Sequence, residues 1–176
     1  MIKSIVLFLF VSITYFSFAS EAQLLLKNID FSNNLQYWQS AKLVKDSAFK
    51  VQKENKQNIL KISSGKQEVC QLVQRVNISS EKLLNKRISL FATIKVNQLS
   101  SGALHLCVRE VNSKGRTIRY RTVKITKWSP DGWQKYNISF VVKNPTKYLQ
   151  VFIKSNYFSK QDSVLLKDLK LNLIKQ

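Results

Sequence analysis

Residues 88–96 read Ile-Ser-Leu-Phe-Ala-Thr-Ile-Lys-Val, and the five even-numbered residues of this stretch are all apolar. Three of its four odd-numbered residues are Ser, Thr or Lys. Successive side chains of an extended strand point to opposite faces, so a two-residue period predicts a β-strand with one buried and one solvated face. An amphipathic helix would instead place its apolar residues at i, i+3, i+4 and i+7.

The same alternation continues along the chain on both sides of this stretch. It recurs in residues 104–109, 133–142 and 148–154, which are rich in the β-branched and aromatic residues that strands prefer. Asn tolerates left-handed backbone, so it can form turns in a chain with only four glycines. The pattern predicts an all-β fold, a single antiparallel β-sandwich (jelly roll) of about ten strands. The other strands are expected at residues 24–27, 42–44, 48–52, 58–63, 68–76, 117–127 and 164–174.

The N-terminal segment predicts export. Lys3 precedes residues 5–18, which contain no charged residue, and small residues follow at Ala19 and Ser20. A basic start, a short apolar stretch and small residues at the cut describe a secretory signal peptide. We therefore expect a cleaved signal peptide at residues 1–19, one domain at 24–174, and a secreted or periplasmic (extracytoplasmic) protein, with an uncleaved anchor as the alternative. No segment of the mature chain is apolar enough to be transmembrane.

The net charge indicates the class of partner. Lys and Arg number 29 against 10 Asp and Glu, which gives a formal charge of +19. Such a protein is attracted to anions, among them acidic glycans, nucleic acid and anionic membranes. Lys, Asn and Ile are also enriched by an AT-rich genome, so scattered lysines say little. We expect no nucleic acid, because export removes the usual partner and no nucleic-acid motif is present.

Cys70 and Cys107 are the two cysteines of the chain, and each lies within an expected strand. In an oxidising compartment they could form one disulfide if their strands are close neighbours. The alternative is a pair of small, half-buried thiols that never meet.

Two motifs at the ends of the domain carry a family resemblance. Residues 28–38, Asn-Ile-Asp-Phe-Ser-Asn-Asn-Leu-Gln-Tyr-Trp, resemble the opening motif of jelly-roll carbohydrate-binding modules with the galactose-binding-like fold. Residues 164–171, Val-Leu-Leu-Lys-Asp-Leu-Lys-Leu, resemble the closing strand of these modules, in which an Asp pair is usual. The resemblance implies a non-catalytic carbohydrate-binding module of the cellulose- and xylan-binding group. It also implies a possible structural Ca²⁺ near Asp30 and Asp168, although Lys167 replaces the first Asp of the closing pair and weakens this expectation. No other cofactor is expected.

The arginines mark a candidate ligand site. Four of the six lie between residues 109 and 121, in an expected hairpin. Arg119 and Arg121 share one face of their strand, and Arg109 shares a face of the preceding strand with His105, so the two rows are expected to converge. Arginine binds carboxylate, sulfate or phosphate with two parallel hydrogen bonds, which favours an anionic glycan. The alternative is a solvated hairpin kept soluble by its charge.

Aromatic side chains provide the stacking surfaces that sugar rings use. Trp128 and Tyr120 are candidates, whereas Trp38 and Trp133 are expected in the core.

The leading hypothesis is a secreted module that binds an anionic glycan. The alternatives are an exported structural or protein-interaction domain and a polysaccharide-acting enzyme, for which Glu68 and Glu110 are the carboxylates that folding could bring together.

Overall fold

The computed structural model describes residues 25–40, 48–63, 69–78, 83–127 and 132–174. Within these ranges the chain forms ten β-strands and no helix. The expected signal peptide lies outside them, as does the expected strand at 42–44. The strands are β1 (Gln39–Ser40), β2 (Phe49–Glu54), β3 (Gln57–Ile62), β4 (Cys70–Asn77), β5 (Arg87–Gln98), β6 (Ala103–Val111), β7 (Thr117–Ile125), β8 (Gln134–Val141), β9 (Tyr148–Asn156) and β10 (Ser163–Ile174).

The strands form two five-stranded antiparallel sheets. We call them sheet 1, in the order β1-β4-β9-β6-β7, and sheet 2, in the order β2-β3-β10-β5-β8. Strands that follow one another along the chain often lie in different sheets, as in a jelly roll. The predicted fold, an all-β jelly-roll sandwich of about ten strands, is therefore confirmed.

The core lies between the inward faces of the two sheets. On β5 the even-numbered residues from Ile88 to Val96 are all buried, as their alternation predicts. Sheet 1 contributes the alternate residues of β6 and β9, among them Leu106 and Ile153. Each buried aliphatic side chain contributes about 1.5–3 kcal/mol relative to exposure, so the two inner faces hold the sheets together.

The opening motif adds aromatic side chains to this core. Phe31 and Trp38 are both buried, and their ring centroids lie 6.4 Å apart. The expectation that Trp38 belongs to the core is confirmed. Asn34 has a φ of +54°, which explains how Asn can stand at the turn position where the related motif has Gly.

The strand expected at residues 24–27 is wrong, and of the two alternatives for Cys70 and Cys107 the structure shows the one in which they do not meet. Residues 25–27 are irregular rather than a strand, although the Leu25 backbone N donates to Leu171 O at 3.0 Å. Cys70 and Cys107 are not joined to each other. Strand β9 lies between their strands, about 10 Å in total, and Cys70 faces the core while Cys107 faces outward. This separation exceeds the reach of a disulfide.

Asp162 ties the loop before β6 to the loop before β10. Its buried carboxylate accepts hydrogen bonds from Ser100 N at 2.7 Å, Ser100 Oγ at 2.8 Å and Ser159 N at 2.8 Å. Burial alone would raise the pKa of Asp162, but these hydrogen bonds outweigh it and lower the pKa below its usual value. The ionised carboxylate therefore contributes to stability.

We predict that Asp162→Ala lowers the free energy of unfolding by about 2–3 kcal/mol at pH 7, because charge-assisted hydrogen bonds to buried groups are lost. A lowered carboxyl pKa contributes stability that is present above the unfolded pKa and is lost as pH falls through the folded one. The difference between wild type and variant should therefore shrink below about pH 4. Urea unfolding at pH 7 and pH 3 measures it. An equal difference at both values would contradict the role given to the charge.

Candidate functional site

The hairpin of β6 and β7 separates the predicted arginines onto two faces. Arg121 pairs with Val108 and Arg119 with Glu110, so both arginines point to the inner side of sheet 1. Arg109 pairs with Tyr120 and points outward. Residues directly opposite each other in an antiparallel ladder share a face, and this register joins odd-numbered residues of β6 to even-numbered residues of β7. Arg109 therefore lies on the opposite face from Arg119 and Arg121, and the expected convergence of the two arginine rows is wrong.

The inward arginines are bound by Glu110, whose side chain is 1% exposed. Arg119 Nη2 donates to Oε2 at 2.8 Å and Arg121 Nη1 to Oε1 at 3.0 Å. Oε2 also accepts hydrogen bonds from Thr146 Oγ1 at 3.0 Å and Lys143 N at 3.2 Å. This network joins the hairpin to the loop between β8 and β9. Arg119 and Arg121 therefore have a structural role. In the sequence, the acidic residue Glu110 within this basic segment could have indicated that role.

A different set of residues comes together on the outer face of sheet 1. Gln150 on the central strand β9 stands directly opposite Arg75 on β4 and Arg109 on β6, and Arg109 stands opposite Tyr120 on β7. These side chains form one row across four strands. We call it the sheet 1 row: Arg75, Gln150, Arg109 and Tyr120.

Aromatic rings and hydrogen bonds position the two arginines of the row. The Arg75 guanidinium carbon lies 3.7 Å from the centroid of the Tyr148 ring, and that of Arg109 lies 5.1 Å from the centroid of Phe152. Arg75 Nε donates to Asn77 Oδ1 at 3.0 Å. Arg109 donates to Gln150 Oε1 from Nε at 2.8 Å and also from Nη2. Stacked and hydrogen-bonded guanidinium groups lose little further entropy on binding a ligand.

Tyr120 provides an exposed aromatic at the β7 end of the row. Its side chain is 51% exposed, and its hydroxyl donates to the Cys107 sulfur at 2.8 Å. Burial of the hydroxyl and this hydrogen bond raise the pKa of Tyr120 to about 12, so the phenol stays neutral at physiological pH. The ring is therefore fixed at one end and open to solvent at the other.

His105 lies two residues along β6 from Cys107, at the end of this face. It stands between Lys154 and Lys124 in the register, and its ring contacts Asn156 Nδ2 through Nε2 at 3.2 Å. Burial, followed by the charges of the two lysines, lowers the pKa of His105. His105, Lys124 and Asn156 border a pocket of about 420 Å³ that is also lined by Ser100, Ser101, Gly102, Ala103, Thr126 and Tyr157.

Sequence reasoning missed the contributions of β4 and β9 to this face. In strand 148–154 the alternate residues Leu149, Val151 and Ile153 face the core. Their neighbours Tyr148, Gln150 and Phe152 therefore lie on the outer face, where Tyr148 and Gln150 are half-buried and Phe152 is buried. Two aromatic residues on the outward side of this strand could have indicated a binding surface from the sequence. Which cations stand beside them depends on the strand order and the register of the sheet.

The two expected calcium ligands, Asp30 and Asp168, each accept a hydrogen bond from a protein donor. Asp30 Oδ1 accepts a hydrogen bond from Ser32 N at 3.2 Å, and this bond lowers the pKa of Asp30. Asp168 Oδ1 accepts one from Gln57 Nε2 at 3.3 Å. No group of three or more His, Cys, Asp or Glu side chains in the described ranges could hold a metal. Ca²⁺ takes about six to eight oxygen ligands, of which Asp30 and Asp168 would supply only a part, so the Ca²⁺ that the resemblance implies stays a prediction.

The remaining aromatic candidates have different outcomes. Trp128 lies outside the described residues. The expectation that Trp133 belongs to the core is wrong, because this residue is only half-buried and the Lys167 Nζ lies 4.4 Å from the centroid of its ring. The described residues contain no helix with the length and apolar composition that crossing a membrane requires.

Comparisons with known proteins identify the fold. No family model matches the chain, and no curated protein is similar to it in sequence. Among solved structures, the enzymatically active domain of bacteriophage CBA120 tailspike protein 4 matches 86% of this chain with a TM-score of 0.65 and 9% identity, although this chain spans only 21% of it. A family 16 carbohydrate-binding module matches 85% of this chain and 99% of its own, with a TM-score of 0.64 and 13% identity. The xylan-binding module CBM22-1 of Paenibacillus barcinonensis Xyn10C matches 88% of this chain and 97% of its own, with a TM-score of 0.60 and 16% identity. The chain thus has the jelly-roll fold of carbohydrate-binding modules, as the resemblance predicted.

We predict that Arg119→Ala and Arg109→Ala differ in their effect on stability. Arg119→Ala removes a partner from a buried carboxylate and should lower the free energy of unfolding by about 2 kcal/mol, less than a fully buried pair because the arginine is partly exposed. Arg109→Ala should lower it by less than about 1 kcal/mol, because Gln150 can be hydrated on the outer face. Chemical denaturation of both variants measures the difference. A reversed order would contradict the assignment of the two faces.

Proposed function

We propose that the protein is a secreted, non-catalytic module that binds an anionic glycan on the outer face of sheet 1. The observation that carries this proposal is the sheet 1 row, in which two arginines and an exposed tyrosine are aligned across the strands. Sugar rings bind aromatic faces through their C–H groups, and guanidinium groups bind carboxylate or sulfate. The row combines both kinds of group.

The hydrogen bonds of the arginines leave donors for a ligand. Arg75 uses only Nε within the described residues, and Arg109 uses only Nε and Nη2. The other guanidinium nitrogens can donate to anionic oxygens. The strand residues on this face include Lys124 and Lys154 but no Asp or Glu. An anionic ligand would therefore meet no carboxylate of these strands.

The structural comparisons support the class of ligand. Two of the similar structures are carbohydrate-binding modules that this chain matches over nearly their whole length. The anionic preference rests on the arginines of this chain, and secretion rests on the N-terminal segment. The enzyme alternative receives less support from Glu110, because this residue is buried with both oxygens hydrogen-bonded. The other carboxylate considered for it, Glu68, lies outside the described residues.

We predict that the protein binds polygalacturonate or alginate more tightly than neutral xylan or galactan. Arg109→Ala should weaken binding to the acidic polymer roughly tenfold or more, because a charge-assisted hydrogen bond is lost. Tyr120→Ala should weaken it by a similar factor through loss of stacking. Affinity electrophoresis and calorimetry at about 0.15 M salt measure both effects.

Arg116→Ala is the matched control, because it removes the same charge from the exposed turn of the hairpin. It should leave the affinity almost unchanged. Equal losses in Arg109→Ala and Arg116→Ala would attribute binding to net charge and contradict the proposed site. No binding to any acidic or neutral glycan, together with recovery of one stoichiometric protein partner, would favour the protein-interaction alternative.

We predict that binding of an acidic glycan tightens as pH falls from 7.5 to 5. Burial and the charges of Lys154 and Lys124 lower the pKa of His105, so it is neutral at pH 7.5, and the fraction of His105 that is positively charged rises as the pH falls. The ligand carboxylates remain ionised over this range. His105→Gln should remove most of the pH dependence while retaining binding at pH 7.5. An unchanged pH profile in this variant would contradict the role of His105.

A further inference from the structure

The outer face of sheet 2 carries a second concentration of positive charge, on the opposite side of the sandwich from the glycan site. Every strand of this sheet contributes at least one lysine to it. We call these residues the lysine face: Lys50 of β2, Lys61 of β3, Lys167 and Lys170 of β10, Lys95 of β5 and Lys135 of β8.

The register places these side chains on the outward side. Lys95 stands opposite Leu165 and Lys170 opposite Phe91, while their neighbours Val96 and Leu171 are buried in the core. Leu165 lies between Lys61 and Lys95 in the ladder. The long lysine stems can therefore cover apolar surface while their ammonium groups remain in water.

No lysine of this face forms an ion pair within the described residues, and the six lysines outnumber the carboxylates of Glu54 on β2 and Asp168 on β10. The ion pairs found within the described ranges are the two made by Glu110, which lies in sheet 1. Lys50 and Lys61 even stand directly opposite each other in the ladder. Like charges at directly opposed positions destabilise a sheet, so this arrangement favours an external anionic partner.

The distribution of the lysines indicates the shape of that partner. Five neighbouring strands span about 19 Å at the usual strand spacing, and lysines occur across this whole width. A single polymer chain would contact one row, whereas a planar anionic surface can contact all six lysines together. Phe91, 38% exposed, and the half-buried Trp133 lie at the same face and suit the headgroup region of a bilayer.

We propose that the lysine face docks on a membrane surface rich in anionic lipid. Lysine is a compact point charge on a flexible stem, which suits mobile lipid headgroups better than the two-pronged recognition of a fixed carboxylate. This face and the glycan site lie on opposite sides of the sandwich. The protein could therefore hold an anionic glycan against a membrane, although each surface is tested separately.

The test uses the purified protein and vesicles of phosphatidylcholine with or without about 30% phosphatidylglycerol, in sedimentation assays at low and at physiological salt. The test variant carries Lys50→Gln, Lys135→Gln and Lys170→Gln, three exposed residues from three strands. The control carries Lys114→Gln, Lys147→Gln and Lys160→Gln, which are exposed residues in turns and loops. Both variants lose three charges, so their net charges are equal.

We expect the wild type to bind the anionic vesicles more strongly than the neutral ones, and the test variant to bind them roughly 100-fold more weakly at low salt. The control variant should lose much less. Absent preference for anionic vesicles, or equal losses in both variants, would overturn the proposal. Lysine-face-dependent binding to soluble polygalacturonate without binding to vesicles would overturn it in favour of a polymer. Arg109→Ala should leave vesicle binding almost unchanged, so failure of this proposal and failure of the glycan site can be distinguished.

Discussion

The alternation of side chains along each strand is the constraint on which the rest of this structure depends. A strand of a two-layer sandwich can bury only one of its faces, so every second residue must be apolar and the others must meet water. β5 and β10 lie side by side within sheet 2 and follow this rule through most of their length. Because alternate residues of each strand are buried, the position of a Lys or Arg in this alternation decides whether its side chain lies on the core side or on an outer surface.

The assignment gives neighbouring arginines opposite roles. Arg119 and Arg121 fall on the inner side of an edge strand, where the Glu110 carboxylate needs cationic donors because water cannot reach it. Arg109 falls on the outer side, where an amide and an aromatic ring hold it without neutralising it. Residues of the same type and segment thus divide into structural and ligand-facing groups.

The two outer faces also differ in the kind of charge that they present. Sheet 1 carries arginines stacked on aromatic rings, which provide fixed donors in defined directions. Sheet 2 carries lysines distributed over its full width, which provide mobile point charges. The first arrangement suits recognition of individual anionic groups, and the second suits attraction to an extended surface. The positive charge of the chain is therefore divided between at least two surfaces of different character.

The amino-acid sequence by itself determined the long strands, the sandwich and the identity of their buried faces, because the two-residue period is local and records burial directly. The two-residue strand β1 is too short to show such a period. It also located Arg109, Tyr120 and His105 on strands of a basic hairpin. Only the tertiary structure decided that Arg75 and Gln150 join Arg109 and that Cys70 lies too far from Cys107 to pair. The reason is physical: strand order and register come from contacts between residues distant in the chain, and a shift of one residue would move every side chain of a strand to its other face.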